Sequence, residues 1–274
     1  MMSRSLNSKL IYGVIGAVFL ATVVYVLAVL PGRSARPSEA APSPSPVAHS
    51  DGLTDSFSGY LMRAVTLPSQ RGKAVPIAFQ IFGPDGIPLE KYQTVQTKQL
   101  HLYLIRDDLS GYQHLHPELG EAIWKTTADI ADGGSYRLFA EFTPEGWDAL
   151  HPVILGLNFI ITGDTQVRPL PAPAASATVD GHVVSRLDGT THLKVNEGAL
   201  LRFAVTGGTL EPYLGAAAHL SAFEVRTGAL AHLHPGTEEI AFHTQFANRG
   251  EYRLFLEFQS GGKVHEAAFT IFVT

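Results

Sequence analysis

One segment of this chain is written twice, and that duplication limits the available folds more than any single motif. The first copy runs from His101 through His114-Leu115-His116-Pro117 to Gly134-Ser135-Tyr136-Arg137-Leu138-Phe139-Ala140-Glu141-Phe142. The second runs from His219 through His232-Leu233-His234-Pro235 to Gly250-Glu251-Tyr252-Arg253-Leu254-Phe255-Leu256-Glu257-Phe258. The first histidine stands thirteen residues before the H-L-H-P element in both copies. The stretch from that element to the tyrosine is two residues shorter in the second copy, as for a trimmed loop. Two copies over such a length mean two similar domains rather than a solenoid. The 274 residues leave room for two domains of about 100 residues each.

Ahead of the repeats, residues 1–9 are polar and carry Arg4 and Lys9. Leu10 to Leu30 is free of charge and long enough to cross a bilayer core of about 30 Å as a helix. It is long for a cleaved secretory signal, so the expectation is an uncleaved anchor with residues 1–9 in the cytoplasm. The bulk of the chain then lies outside the cell membrane; secretion after cleavage is the alternative. Arg33 and Arg36 on the far side nearly balance the flanking charges. A Pro/Ser-rich linker follows over residues 31–54, its Pro31 to Val47 portion too polar to order itself by burial. A second proline-rich linker spans 164–177, which leaves domain 1 at 55–163 and domain 2 at 178–274.

Within the domains the periodicity is that of strands. In Gln99 to Ile105, Leu100, Leu102 and Leu104 take one face and His101, Tyr103 and Ile105 the other. Further strands are expected at 74–82, 112–116, 122–130, 136–142 and 153–162, and in the second copy at 200–205, 219–225, 231–234, 240–246, 252–258 and 266–273. Asp132-Gly133-Gly134-Ser135-Tyr136 and Asn248-Arg249-Gly250-Glu251-Tyr252 share a form that marks the tyrosine corner of immunoglobulin-like sandwiches. Tyr136 and Tyr252 are therefore structural. The fold expected is all-β: two tandem immunoglobulin-like antiparallel β-sandwich domains behind an N-terminal transmembrane helix. On the strand after each corner, Phe139 and Phe255 face outward between charges, which suggests a covered or partner-binding sheet face.

His114 and His116 lie two apart on a strand and leave from one face. The turn near Asp108 brings His101 close to opposite His116, within cross-strand reach. His219, His232 and His234 repeat the pattern. Three imidazoles of this kind suit Cu(II) or Zn(II), with Glu118, or Glu238 and Glu239, as a possible oxygen ligand. Hydrogen bonding and packing of the same histidines is the plainer reading. His49, His151, His182, His192, His243 and His265 read as surface or loop residues. Met62 is the only methionine beyond the N-terminus, which argues against Cu(I). The absence of cysteine excludes disulfides, thiolate metal sites and thiol chemistry. A formal charge of −5 gives no reason to expect nucleic acid. No nucleophile motif, phosphate loop or H-E-x-x-H is present, so no enzyme is expected.

The G-x-Y-R-L-F strands (Gly134 to Phe139, Gly250 to Phe255) and the upstream histidines resemble bacterial extracytoplasmic immunoglobulin-like domains of the YtkA/FixH-like and CopC-like kind. The resemblance covers each repeat but neither the anchor nor the linkers. It implies a membrane-tethered or periplasmic protein, in families where several members are associated with copper handling or oxidase assembly. Two functions follow as expectations. One is metal homeostasis, with copper or zinc held at a histidine cluster in each domain and the membrane engaged through residues 10–30. The other is a non-catalytic adhesion or assembly module that binds another envelope protein around Phe139 and Phe255.

Overall fold

The computed structural model describes residues 50–190, 192–231, 233–235 and 240–274, with backbone alone at 234 and 235. The expected anchor, its cytoplasmic flank and the first linker up to residue 49 lie outside the described residues. Among the described residues there is no helix, and none that could cross a membrane.

The first repeat opens with a hairpin of β1 (Ser56–Phe57) and β2 (Tyr60–Thr66). Its two turn residues, Ser58 and Gly59, both have positive φ (49° and 85°), the twist that two-residue hairpins favour. Then come β3 (Gly72–Phe82), β4 (Leu100–Arg106), β5 (Gln113–Leu115), β6 (Glu118–Gly120), β7 (Ile123–Ile130), β8 (Gly134–Phe142) and β9 (Val153–Ile161). One sheet has the order β1-β2-β3-β7-β6 and the other β5-β4-β8-β9. The alternating leucines of β4 face inward and join Tyr136, Leu138, Ala140 and Phe142 of β8 in one apolar core.

The second repeat rebuilds the same plan with β10 (Ser176–Val179), β11 (His182–Arg186), β12 (Gly198–Thr206), β13 (Leu210–Glu211), β14 (His219–Glu224), β15 (Leu230–Ala231), β16 (His234–Pro235), β17 (Ala241–Gln245), β18 (Gly250–Ser260) and β19 (Lys263–Val273). Its sheets are β10-β11-β12-β17-β16 and β15-β14-β18-β19, with β13 beside the end of β18. A separate core forms around Phe203, Phe242, Leu254, Leu256 and Phe258. The two corners are alike: the Tyr136 hydroxyl donates to the Asp132 carbonyl at 3.0 Å, and Tyr252 to the Asn248 carbonyl at 3.1 Å. Gly134 and Gly250 take φ of 125° and 139°, where a side chain would be strained. Each repeat is therefore an immunoglobulin-like sandwich.

A third apolar cluster lies between the repeats: Tyr103, Ile105, Leu109, Tyr112, Phe139 and Ile154 against Phe223, Leu230 and Phe255. The Tyr112 and Phe255 rings stack at 4.2 Å with 4° between their planes. The outward faces of the two β4/β8-type sheets thus cover one another. This corrects the expectation that Phe139 and Phe255 serve another protein. They are 0% and 4% exposed, and their cover is the chain's own second copy. The second linker is tied to both repeats, since the Gln166 carbonyl accepts from Arg106 and the Pro171 carbonyl from Thr270.

Residues 50–54, read as linker from composition, are also part of the fold. Ile154 N donates to Ser50 Oγ, Leu230 N to the Asp51 carbonyl and Gly156 N to the Thr54 carbonyl. Gly52 lies under Phe139 with φ 73°, and a Cβ there would fall 2.2 Å from Phe139 Cδ1. We expect Gly52→Ala to destabilise the chain by about 2–4 kcal/mol, the sum of left-handed strain and overpacking. Gly86→Ala, at a similar φ of 74° in open space, should cost only the strain. Chemical denaturation of both variants checks this; equal effects would show that the Gly52 contact carries no weight.

Candidate metal centre between the repeats

The register of β4 sets the site. Tyr103 pairs with His114 of β5 and with Phe139 of β8, while His101 pairs with Glu141. Opposite residues of antiparallel strands share a face. His101, His114, His116, Tyr103 and Glu141 therefore stand on the outer face, which the second repeat covers. In that repeat His219 pairs with Glu257, and Glu257 with Glu266.

Two matching turns hold the buried histidines. His101 Nε2 lies 3.1 Å from the Val95 carbonyl, and His219 Nε2 lies 3.0 Å from the Tyr213 carbonyl. Each carbonyl sits at a tight turn, closed by Val95 with Lys98 and by Tyr213 with Ala216. Gln96, Thr97 and Leu214 have φ of 47°, 65° and 50° there, sparsely populated values for side-chain-bearing residues. A carbonyl can only accept, so both Nε2 atoms carry hydrogen and both Nδ1 atoms carry a lone pair. His114 Nδ1 donates to Glu257 Oε2 of the other repeat at 2.5 Å. Yet His101 Nδ1 and His114 Nε2 are 3.0 Å apart. That contact is a hydrogen bond when one of the two nitrogens carries a hydrogen, and the same pair is spaced to share a cation.

His116 completes the group. The ligand atoms of His101, His114 and His116 all lie within 4.8 Å of one another. The His219 ring centroid is 6.2 Å from that of His101 and 5.9 Å from that of His114. His116 Nε2 is buried with no partner among the described residues. Such an orphan costs about 1–3 kcal/mol. Burial, reinforced by His114, lowers the pKa of His101, takes His116 down to about 3 and His219 to about 4. These rings are neutral near pH 7, as ligands must be. Burial, with Glu141 next, raises Tyr103 well above a normal phenol, so its hydroxyl keeps its hydrogen and donates to Glu141 at 3.0 Å. Glu266 keeps an exposed edge, but desolvation and the adjacent Glu257 push its carboxyl up to about 7. Cavities of about 80 and 30 Å³ reach His101 and His219, and Glu141 borders both. Spaces of that size can hold water or an ion.

The expected residues are distributed differently from the sequence reading. His101, His114 and His116 do converge, and the His219 ring lies beside them without belonging to the group whose ligand atoms fall within 4.8 Å. His232 lies outside the described residues. For His234 only the backbone is described, paired with His243. Glu118 is exposed, Glu238 and Glu239 lie outside the described residues, and the carboxylate on the cluster is Glu257. The sequence signal for Glu257 was its place in the second copy, equivalent to Glu141 and opposite a histidine. Of the histidines read as surface residues, His192 and His243 are exposed and His49 lies outside the described residues. His151 is half-buried beside Asp148. His182 and His265 are instead buried, at 8% and 6% exposure, because both turn inward onto Phe258.

Fold and site together define a two-domain immunoglobulin-like protein with a histidine-rich centre between its domains. Residues 56–155 and 177–274 each match one family, described as a domain of unknown function (DUF8832), and the chain belongs to it. No curated protein matches the chain. Among solved structures, it is similar to the fibronectin(III)-like modules of Clostridium thermocellum CbhA (10% identity, 78% of this chain and 94% of that one, TM-score 0.24). It is likewise similar to a two-domain fibronectin type-III segment of chicken tenascin (9% identity, 77% and 97%, TM-score 0.24). Drosophila OTK extracellular domains 3–5 also match (12% identity, 81% and 68%, TM-score 0.21). None of these brings an activity or a ligand to this chain.

The lowered histidine pKa values give a signed prediction. Below about pH 6.5 the unfolded chain binds protons that the folded chain refuses, so stability falls as pH drops toward 4. Each such histidine contributes at most about 1.4 kcal/mol per pH unit. The raised Glu266 acts oppositely, but it is one partly exposed group against three histidines. Denaturation midpoints between pH 7 and 4.5 should fall, and His116→Asn should flatten the slope. An unchanged slope in that variant would contradict the assignment.

Proposed function

We propose that this protein binds a divalent d-block cation, Cu(II) or Zn(II), between its two repeats, and that residues 10–30 hold it at a membrane with the repeats outside the cell. His101 Nδ1, His114 Nε2 and His116 Nε2 are the ligands, and His219 and Glu257 reach the same centre from the second repeat. The observation that carries this reading is the convergence of the His101, His114 and His116 ring nitrogens, with His101 Nδ1 and His114 Nε2 3.0 Å apart and His116 Nε2 buried without a partner among the described residues. Imidazole suits both ions, and Glu257 on the far nitrogen of His114 fixes its tautomer as an outer carboxylate does in metal sites. The resemblance to CopC-like and YtkA/FixH-like domains points the same way. The small cavities favour storing or passing on an ion over turning over a substrate. When bound, the ion supplies Lewis acidity and a charge that joins the two repeats.

Calorimetric titration of the full chain with Cu(II) and with Zn(II) tests this. The expected result is micromolar or tighter binding, one equivalent of which disappears in the His114→Ala/His116→Ala variant. The ion should also raise the unfolding temperature of both repeats together, by the equivalent of about 2.7 kcal/mol at a hundredfold excess over Kd. No micromolar binding, or binding indifferent to those two histidines, would overturn the proposal.

A further inference from the structure

The hairpin that opens each repeat offers an internal comparison. Phe57-Ser58-Gly59-Tyr60 and Val179-Asp180-Gly181-His182 make the same turn, with φ of 49° and 85° against 48° and 85°. Tyr60 packs edge-on to Phe142 at 6.0 Å, and His182 edge-on to Phe258 at 5.4 Å. Phe142 pairs across its sheet with Val153, and Phe258 with His265. Ser58, Tyr60 and Val153 of the first repeat are thus Asp180, His182 and His265 in the second. All three positions carry metal-ligating residue types in the second copy, where the first has serine, tyrosine and valine.

The three side chains lie together. His265 Nδ1 is 2.9 Å from Asp180 Oδ2, its Nε2 is 3.2 Å from the Ser260 carbonyl, and its ring centroid is 4.5 Å from that of His182. Hydrogen bonding to Lys263 first, and His265 second, holds the Asp180 carboxyl below its usual range. A ring with a single N–H can donate to only one of these two acceptors. His182 is buried, and neither of its ring nitrogens has a partner among the described residues. Packing does not require this, since the first repeat fills the same place with a tyrosine and a valine. Gly208 keeps the space beside the ring open: a Cβ there would lie 2.6 Å from His182 Nε2 and 2.6 Å from Ser260 Oγ.

We propose a second cation site, formed by Asp180, His182 and His265 within the second repeat and taking Zn(II) or a similar divalent d-block ion. Three changes lead from the present arrangement to the bound one. His265 presents Nδ1 to the ion beside the Asp180 carboxylate and keeps its hydrogen on Nε2, toward the Ser260 carbonyl. The His182 ring turns to bring a nitrogen onto the same ion, and exposed Lys263 swings off Asp180. Two nitrogens and one oxygen are the donor set of open zinc sites.

The test is Zn(II) titration of the full chain, read by calorimetry and by NMR of the imidazole nitrogens. In the His114→Ala/His116→Ala chain one equivalent should remain, with the His265 and His182 resonances shifting. Adding Asp180→Asn, a change its positive φ tolerates, should weaken that equivalent at least tenfold, and His182→Gln should remove it. In the otherwise unaltered chain Asp180→Asn alone should weaken one of two equivalents, which keeps the test readable if the double variant misfolds. Loss of all binding in His114→Ala/His116→Ala with its fold intact, or a His265 Nδ1 hydrogen that persists at saturating Zn(II), would overturn the second site while leaving the first standing.

Discussion

The stacking of Tyr112 on Phe255, within the apolar layer that joins the two repeats, is the contact on which the rest depends. Burying Phe139, Phe223 and Phe255 contributes on the order of 1.5–3 kcal/mol each. That layer does more than hold two sandwiches together. It removes water from the polar rows next to it, where His101, His114, His116 and His219 stand. The depressed histidine pKa values, the bond from His114 to Glu257 and the orphaned His116 nitrogen all follow from that exclusion. With the repeats apart, the same side chains would face solvent, and none of these features would persist.

A duplicated chain can depart from symmetry in ways a dimer of identical subunits cannot. Equivalent positions across the interface show how far this has gone. Tyr103 corresponds to Ser221, and the Tyr112 hydroxyl shares a hydrogen bond with Ser221 at 3.0 Å. Ile154, opposite Glu141, corresponds to Glu266, opposite Glu257. The second repeat therefore sets an extra carboxylate beside Glu257, and the first brings the tyrosine that holds Glu141. Away from the interface, the hairpin histidines have diverged in the same one-sided manner. Packing has kept the aromatic and leucine positions alike while polar positions were free to separate.

Much of the architecture was legible in the sequence because it rests on local rules. Alternation placed the leucines of β4 inward, and the D-x-G-x-Y form located both corners to the residue. The opening hairpins β1-β2 and β10-β11 were missed: strands such as Tyr60–Thr66 have exposed ends and no clean alternation, and their signal is a two-residue turn. The site was legible only in part. Register within one sheet follows from the turn, so His101, His114 and His116 could be brought together on paper. Nothing local shows that a sheet face will be covered by its own copy. His219 was consequently read only with His232 and His234, Glu257 was not read as part of any site, and Phe139 looked like a surface for another protein. Residues 50–54 were misread because composition marks what a segment can do alone, not what its backbone can bond to.

The remaining question is whether a proton suffices for the interdomain centre. A proton on the line between His101 Nδ1 and His114 Nε2 would resolve their 3.0 Å contact, and Glu257 would balance the charge. It would do nothing for His116, whose Nε2 is buried without a partner among the described residues. One proton reaches two nitrogens; a metal ion reaches three or four. The proton also places positive charge where burial already lowers the affinity of three neighbouring rings for it. A cation that accepts several neutral nitrogens at once uses that arrangement, because the rings are kept unprotonated at neutral pH.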